Sequence, residues 1–263
     1  MTALLLHYVD YPATSTSKAL PLVVLHGLMG NADNWRAHAR QWEAHRRVVA
    51  LDLRNHGRSP HAEDMRYIHL AQDVLHTLST LGIEQFDLLG HSMGGKTAMS
   101  IAVLAPERIK HLIVADIAPV DYALDRHDEI FTAMQAVADR PPVTRSEADD
   151  LMAQHLADVE TRRFLGTNLI KGEDQHLHWR VNLPALRQGY PDVACAPIEG
   201  APFEGPVLFL RGGDSSYVLP EHRALIMARF PHARIVTLKH CAHWLHVEQF
   251  AIFIEAVDRF LAQ

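Results

Sequence analysis

The sequence predicts an α/β fold in which a mostly parallel central sheet is flanked by helices. The first observation behind this is a set of short apolar runs: LPLVVLH (20–26), VVALDL (48–53), FDLLG (86–90), LIVAD (112–116), VLFLR (207–211) and ARIVTL (233–238). They lack polar alternation, as expected of strands covered on both faces. The second is the helical spacing of the segments between them. Apolar residues recur at three- and four-residue intervals over 68–82, which closes on Gly82, and over 94–109, and the stretch 247–263 is amphipathic. Strand–helix alternation of this kind requires crossover connections and a doubly wound sheet.

Each remaining segment has its place in that pattern. The N-terminal stretch MTALLLHYVDYP reads as a further strand, since it lacks the basic start and long apolar run of a secretory signal. The alternation breaks once, between Pro119 and about Phe203. There EIFTAMQAVADR, SEADDLMAQHLADVETRRFL and HWRVNLPALRQGY read as helices, punctuated by Pro141-Pro142 and Pro184. The expected organisation is a core from 1–118 and 204–263 with a helical cap over 119–203, lying above the C-terminal edge of the sheet.

Composition narrows the function. With 263 residues, 48% of them apolar, a sizeable core is within reach. A formal net charge of −6, with Lys and Arg scattered, argues against a nucleic-acid partner or an anionic membrane surface. The absence of any apolar run of about 18 residues argues against a spanning helix. Two cysteines, Cys195 and Cys241, make no disulfide framework, so a reducing, cytoplasmic setting is expected.

The chemistry is concentrated in FDLLGHSMGG. A buried strand runs into Gly90-His91-Ser92-Met93-Gly94 and then into a helix, the strand–turn–helix context that the G-x-S-x-G pattern requires. The turn must be tight enough to lift the Ser92 hydroxyl off the sheet, and glycines at its flanks leave room for the backbone to cross. Ser92 is therefore the candidate nucleophile. HGLMGN (26–31), after the first strongly apolar strand, is the matching loop for an oxyanion hole, with the N–H groups of Leu28 and Met93 as donors and His26 as an organiser of the loop.

A serine hydroxyl needs an imidazole to take its proton. Of the late histidines, His232, His240, His243 and His246, His243 follows the last predicted strand in CAHWLHVE and is the candidate base. A metal site built from His240, His243 and His246 would need a supporting carboxylate, so none is expected. Two aspartates end strands in usable places for the acid: Asp116 after LIVAD, and Asp214 in RGGDSSYV. A G-x-x-D turn counted from Gly212 puts the acid position on Ser215, which leaves Asp214 one residue early; Asp116 has no such register problem. Asp116 is preferred and Asp214 remains the alternative. Trp35, Tyr122, Tyr217 and Trp244 are candidates to line a substrate pocket between cap and core. Arg54-Asn55-His56-Gly57-Arg58-Ser59 reads as a structural turn and Lys96 as a packed side chain.

Taken together, HGLMGNADNW, DLRNHGRSPH, GHSMGGKTAM, DIAPVDY and CAHWLHVE resemble the bacterial YbfF-type esterases of the α/β-hydrolase superfamily, and the similarity extends over most of the chain, including RHDEIF. DIAPVDY is the more discriminating motif. Cys241 is a departure, standing where glycine is usual. The resemblance implies an α/β-hydrolase fold with the cap inserted after the sixth strand, the triad acid at Asp116, no cofactor, and a small-molecule acyl ester or thioester as partner, acyl-CoA-like ones included. The alternative with the same triad is a C–C hydrolase or lyase resembling menaquinone-pathway synthases. It would need Arg145, Arg162, Arg163, Arg180 and Arg187 to converge on a polyanionic substrate. Oligomeric state is left open.

Overall fold

The computed structural model describes residues 2–16 and 18–263, leaving Met1 of the N-terminal stretch and Ser17 outside the described residues. Seven strands form one sheet: β1 (Tyr8–Tyr11), β2 (Leu22–Leu25), β3 (Val48–Leu51), β4 (Phe86–His91), β5 (Ile109–Ala115) and, after a long insertion, β8 (Val207–Gly212) and β9 (Ala233–Leu238). Their order is β1-β3-β2-β4-β5-β8-β9. Only β1 runs antiparallel, against β3, and every other pairing is parallel. The strand order reverses between β2 and β4. At such a switch point the loops leaving the carboxyl ends diverge and open a crevice. The register aligns those ends: Leu25 pairs with Gly90, His91 with Ala115, and Ala115 with Leu210.

Strands β2, β3, β4, β5 and β8 are covered on both faces, which is why they read as apolar runs, whereas the edge strand β9 leaves Arg234, Val236 and Thr237 exposed. Helices α1 (Arg36–Trp42) and α11 (Phe250–Leu261) bury Trp42, Phe253 and Val257 on one face. On the other, α2 (Tyr67–Thr80) and α3 (Met93–Leu104) bury Leu70, Val74, Met99 and Ile101. Fully buried side chains of this size each contribute about 2 kcal/mol or more of hydrophobic stabilisation. Gly82, at φ +67, ends α2 as anticipated. Helix α3 stops at Leu104 instead of reaching 109. Pro106 cannot donate to a helical ladder and disfavours helical geometry at Ala105, found at φ −148. The C-terminal helix is broken at Gln249, with a single turn, α10 (Leu245–Glu248), preceding α11.

The insertion holds α4 (Asp128–Asp139), α5 (Arg145–Ala153), α6 (Val159–Gly166), α7 (Leu183–Gln188), α8 (Tyr190–Ala194), and a hairpin of β6 (Leu169–Lys171) with β7 (Leu177–Trp179). It follows β5, the fifth strand, and not a sixth, because the described N-terminal segment supplies a single edge strand. The long helical reading over 146–165 splits at His155–Ala157, where Thr144 caps the first helix and Asp158 the second. The stretch HWRVNLPALRQGY begins as strand β7 and becomes helical only at Leu183. Polar ties join the insertion to the core. Asn182 Nδ2 donates to Asn55 Oδ1 at 3.0 Å, Asn168 Nδ2 to the Met29 carbonyl at 2.6 Å, and Lys96 Nζ to the carbonyls of Ala194 and Cys195. No helix among the described residues is long and apolar enough to cross a membrane.

Candidate active site

Ser92 sits between the last residue of β4 and the first of α3 at φ +54, ψ −120. Such a backbone costs roughly 1–3 kcal/mol and persists only when its surroundings enforce it. They do so by close backbone crossings. A Cβ on Gly90 would lie 2.2 Å from the Gly94 carbonyl oxygen, and one on Gly94 would lie 2.4 Å from that of Leu25. The Ser92 N–H is held by the Ala115 carbonyl at 3.0 Å, tying the turn to the end of β5.

The loop after β9 brings His243 to this hydroxyl. Its Nε2 is 3.0 Å from Ser92 Oγ and its Nδ1 is 2.8 Å from Asp116 Oδ2. The carboxylate can only accept, so Nδ1 carries the proton and Nε2 is left free to accept from Ser92. Asp116 is fully buried and itself held at φ +49. Its other contacts are the Gly212 N–H, donating to Oδ1 at 2.9 Å, and the Ser215 hydroxyl, donating to Oδ2. A buried carboxylate with three donors is well satisfied. Asp214 is exposed, and its backbone N–H is bonded to the Cys241 carbonyl at 2.9 Å. The structure thus brings Asp116, and not Asp214, to the imidazole. Ser215 was not foreseen as a site residue, although the Gly212 turn count had pointed to that position.

The loop over 26–31 is packed against the elbow: a Cβ on Gly27 would lie 3.2 Å from Ser92 Cβ and 3.0 Å from His91 Nδ1. His26 Nδ1 donates to the Gly27 carbonyl at 2.7 Å, as the sequence led us to expect, while its Nε2 accepts the Leu53 N–H at 2.9 Å. His56, which sequence reasoning left in a structural turn, accepts the Met29 N–H at 3.1 Å. The turn itself is structural: Gly57, at φ +54, leaves room for the Asp52 carboxylate, which accepts the N–H groups of Ala32 and Arg58. The amides of Leu28 and Met93 have no protein acceptor among the described residues; Met93 is the first residue of α3, where helical N–H groups have no partner within the helix.

Burial keeps the surrounding histidines neutral. It pulls His91 and His56 down to about 3, and His26 and His246 are lowered for the same reason. Neutral His91 donates from Nε2 to the His243 carbonyl at 2.9 Å and so braces the backbone of the candidate base. Among the described residues, no group of three or more His, Cys, Asp or Glu side chains is placed to hold a metal ion.

A profile of the family described as "alpha/beta hydrolase fold" matches residues 21–163. The Escherichia coli (strain K12) protein named Esterase YbfF is 39% identical over 242 residues, covering 92% of each chain. The chain belongs to the YbfF-type branch of the α/β-hydrolase family. The Mus musculus protein named sn-1-specific diacylglycerol lipase ABHD11 is also 39% identical, over 96% of this chain and 85% of its own length. A solved structure titled "Marine microorganism esterase" superposes with a TM-score of 0.92 at 34% identity, covering 98% of this chain and all of that one.

In this YbfF-type hydrolase the expected pocket residues divide. Tyr217 stacks on His243 with ring centroids 3.8 Å apart, and Tyr122 donates to the Tyr217 carbonyl at 2.6 Å. Trp244 lies beside Phe164 of α6 at 5.4 Å. Trp35 is a correction. It is 1% exposed, packs among Trp42 and Phe253, and stacks on His246 at 4.7 Å, so it belongs to the core beneath the site. Its place just before α1 turns it to the covered face of the sheet. The arginines Arg145, Arg162 and Arg163 line a cavity of about 510 Å³ within the insertion, and are bonded to local carbonyls, Asp149 and Glu160. The guanidinium beside the site is Arg126, 4.1 Å from the centre of the Tyr217 ring, which sequence reasoning missed.

Lys96, one turn beyond Ser92, is 1% exposed and lies 4.6 Å from the centre of the Tyr122 ring; burial lowers it to about 7, with Asp121 opposing. Its bonds to the insertion fit a packed, anchoring side chain.

Proposed function

We propose that this YbfF-type hydrolase cleaves carboxylic esters or acyl thioesters through an acyl-enzyme formed on Ser92. His243 takes the Ser92 proton as Oγ attacks the acyl carbonyl, and Asp116 fixes the tautomer and stabilises the imidazolium. The amides of Leu28 and Met93 receive the oxyanion, and one such donor is typically worth about 3–4 kcal/mol of barrier. His243 then protonates the leaving alcohol or thiol, and water activated by the same imidazole releases the acid. The segment 119–203 serves as a cap, with Tyr122, Tyr217 and Trp244 on the acyl-binding side.

The observation that carries this reading is the continuous line Ser92 Oγ to His243 Nε2 at 3.0 Å and His243 Nδ1 to Asp116 at 2.8 Å. Relatives named as an esterase and a diacylglycerol lipase favour acyl–oxygen bonds; extension to thioesters rests on the shared acyl chemistry. Replacing Ser92 with Ala should lower kcat on p-nitrophenyl esters by on the order of 10⁴ or more. Parental turnover by that variant would remove the proposal. A panel of matched oxygen esters and thioesters then separates the two leaving-group classes.

A further inference from the structure

We infer that Asn168, supplied by the insertion, is a positioning residue for the Leu28 amide. The inference rests on the proposed role of that amide in holding the oxyanion.

The argument follows three peptide units. The Leu28 N–H belongs to the same planar unit as the Gly27 carbonyl and points opposite to it. Whatever fixes the Gly27 oxygen therefore aims the Leu28 N–H. That oxygen accepts from His26 Nδ1 at 2.7 Å and from the Gly30 N–H at 3.0 Å. The Gly30 N–H in turn shares a plane with the Met29 carbonyl, and it is this carbonyl that accepts from Asn168 Nδ2 at 2.6 Å. The middle unit is held by His56, which accepts the Met29 N–H. Met29 sits at φ +61, a conformation that a side chain resists, and it is 2% exposed. The loop is thus a strained turn pinned at each plane. The core supplies two of the pins, His26 and His56, and the insertion supplies the third.

Asn168 is built for this place. It lies between α6 and β6, is fully buried, and its backbone is fixed on both sides, with N–H to the Leu165 carbonyl at 2.9 Å and C=O from the Arg180 N–H at 2.8 Å. Its Oδ1 faces Asn31 Nδ2 at 3.4 Å. Its side chain therefore has one orientation in which both ends are satisfied, and in that orientation Nδ2 meets Met29. Seating of the insertion and aiming of the hole are one event.

The test compares two anchors of the insertion. Asn168→Ala and the near-isosteric Asn168→Asp both remove the donor, whereas Asn182→Ala removes the side-chain bond to Asn55 and the cap of α7 without touching the 26–31 loop. Each is assayed for kcat and KM on a p-nitrophenyl ester and for inhibition by a trifluoromethyl ketone, whose adduct carries its charge on the former carbonyl oxygen. Thermal unfolding is followed in parallel. Both Asn168 variants should lose about tenfold in kcat, with KM within about twofold and the ketone Ki raised by a matching factor. Asn182→Ala should keep kcat and the ketone Ki within about twofold. Parental kcat in both Asn168 variants, or an equal loss of kcat in Asn182→Ala, would overturn the inference. Failure of both Asn168 variants to fold would make the residue a structural anchor and overturn it equally. If Ser92→Ala is inactive and the Asn168 variants are unaffected, only this inference falls; if Ser92→Ala is active, the proposed function falls and takes it along.

Discussion

The two halves of the candidate site are held by different means. On the nucleophile side, the 90–95 elbow is fixed by shape, with backbone crossing backbone so closely that Cβ atoms on Gly90 or Gly94 would collide, and the 26–31 loop packs against it at Gly27 while His26, His56 and Asn168 pin the rest of that loop. On the acid–base side, Asp116, Ser215 and His243 come from the ends of three separate strands and are fixed by side-chain hydrogen bonds. The lesson is that steric fixation leaves a local mark in the sequence, glycines at set intervals, whereas hydrogen bonds between distant loops leave none.

That contrast can be broken or sharpened by measurement. The largest effect is expected from Asp116→Asn. An amide in that place can offer Nδ1 of His243 a donor where it needs an acceptor, and kcat should fall by about 10⁴ with little change in thermal stability. A small loss would mean that the acid–base side does not depend on its hydrogen bonds as described.

The second effect concerns stability in acid. His26 and His56 brace the 26–31 loop and His91 the backbone at His243, all as buried neutral rings, and His38, His127 and His246 are also lowered by burial. His56 and His91 fall to about 3 and His127 to about 4, against about 6.5 in an unfolded chain. Above 6.5 neither state binds the proton. As pH falls from 6.5 towards 3–4, the unfolded chain takes protons that the folded one refuses, so stability is lost at about 1 kcal/mol per pH unit for each group fully in that window. Denaturant titrations at pH 7 and pH 5 should therefore show a marked drop in midpoint. His56→Gln and His91→Gln, if folded, should each shrink the drop, and an unchanged midpoint in the parent would refute the buried neutral assignment.

The smallest effects come from two neighbours. Ser215→Ala removes one hydrogen bond to a charged, buried carboxylate and should cost about tenfold in kcat. Asp214→Asn, one residue earlier and exposed, should stay within about twofold. A reversal of these two would restore Asp214 as a participant.

How much was legible follows the same division. The strands of 48–53 and 207–211 were readable because both their faces are covered, and the exposed edge strand of 233–238 by its β-branched run Ile235-Val236-Thr237. Ser92, Gly27 and the hole loop were readable because their geometry demands glycine within a few residues. His243 was readable by its place after the last strand. The choice of Asp116 over Asp214 rested on turn register and on the resemblance to YbfF-type esterases. Ser215, His56, Arg126 and Asn168 were not singled out, since each acts across 27 or more positions through a side chain whose type is common everywhere. The β6–β7 hairpin escaped notice because three-residue strands carry too short a pattern to register. Trp35 was misplaced because an aromatic residue has the same signature in a pocket as beneath it.

Residues 26–116, all upstream of the insertion, hold the candidate hole loop, the elbow and the buried carboxylate, whereas the imidazole of His243 returns from the far side. During synthesis, on the proposed mechanism, the hydroxyl of Ser92 stays chemically quiet until the final strand pairs with β8 and delivers the ring. On that mechanism a chain ending before His243 would lack the base that activates Ser92, and turnover becomes a reporter of completed threading.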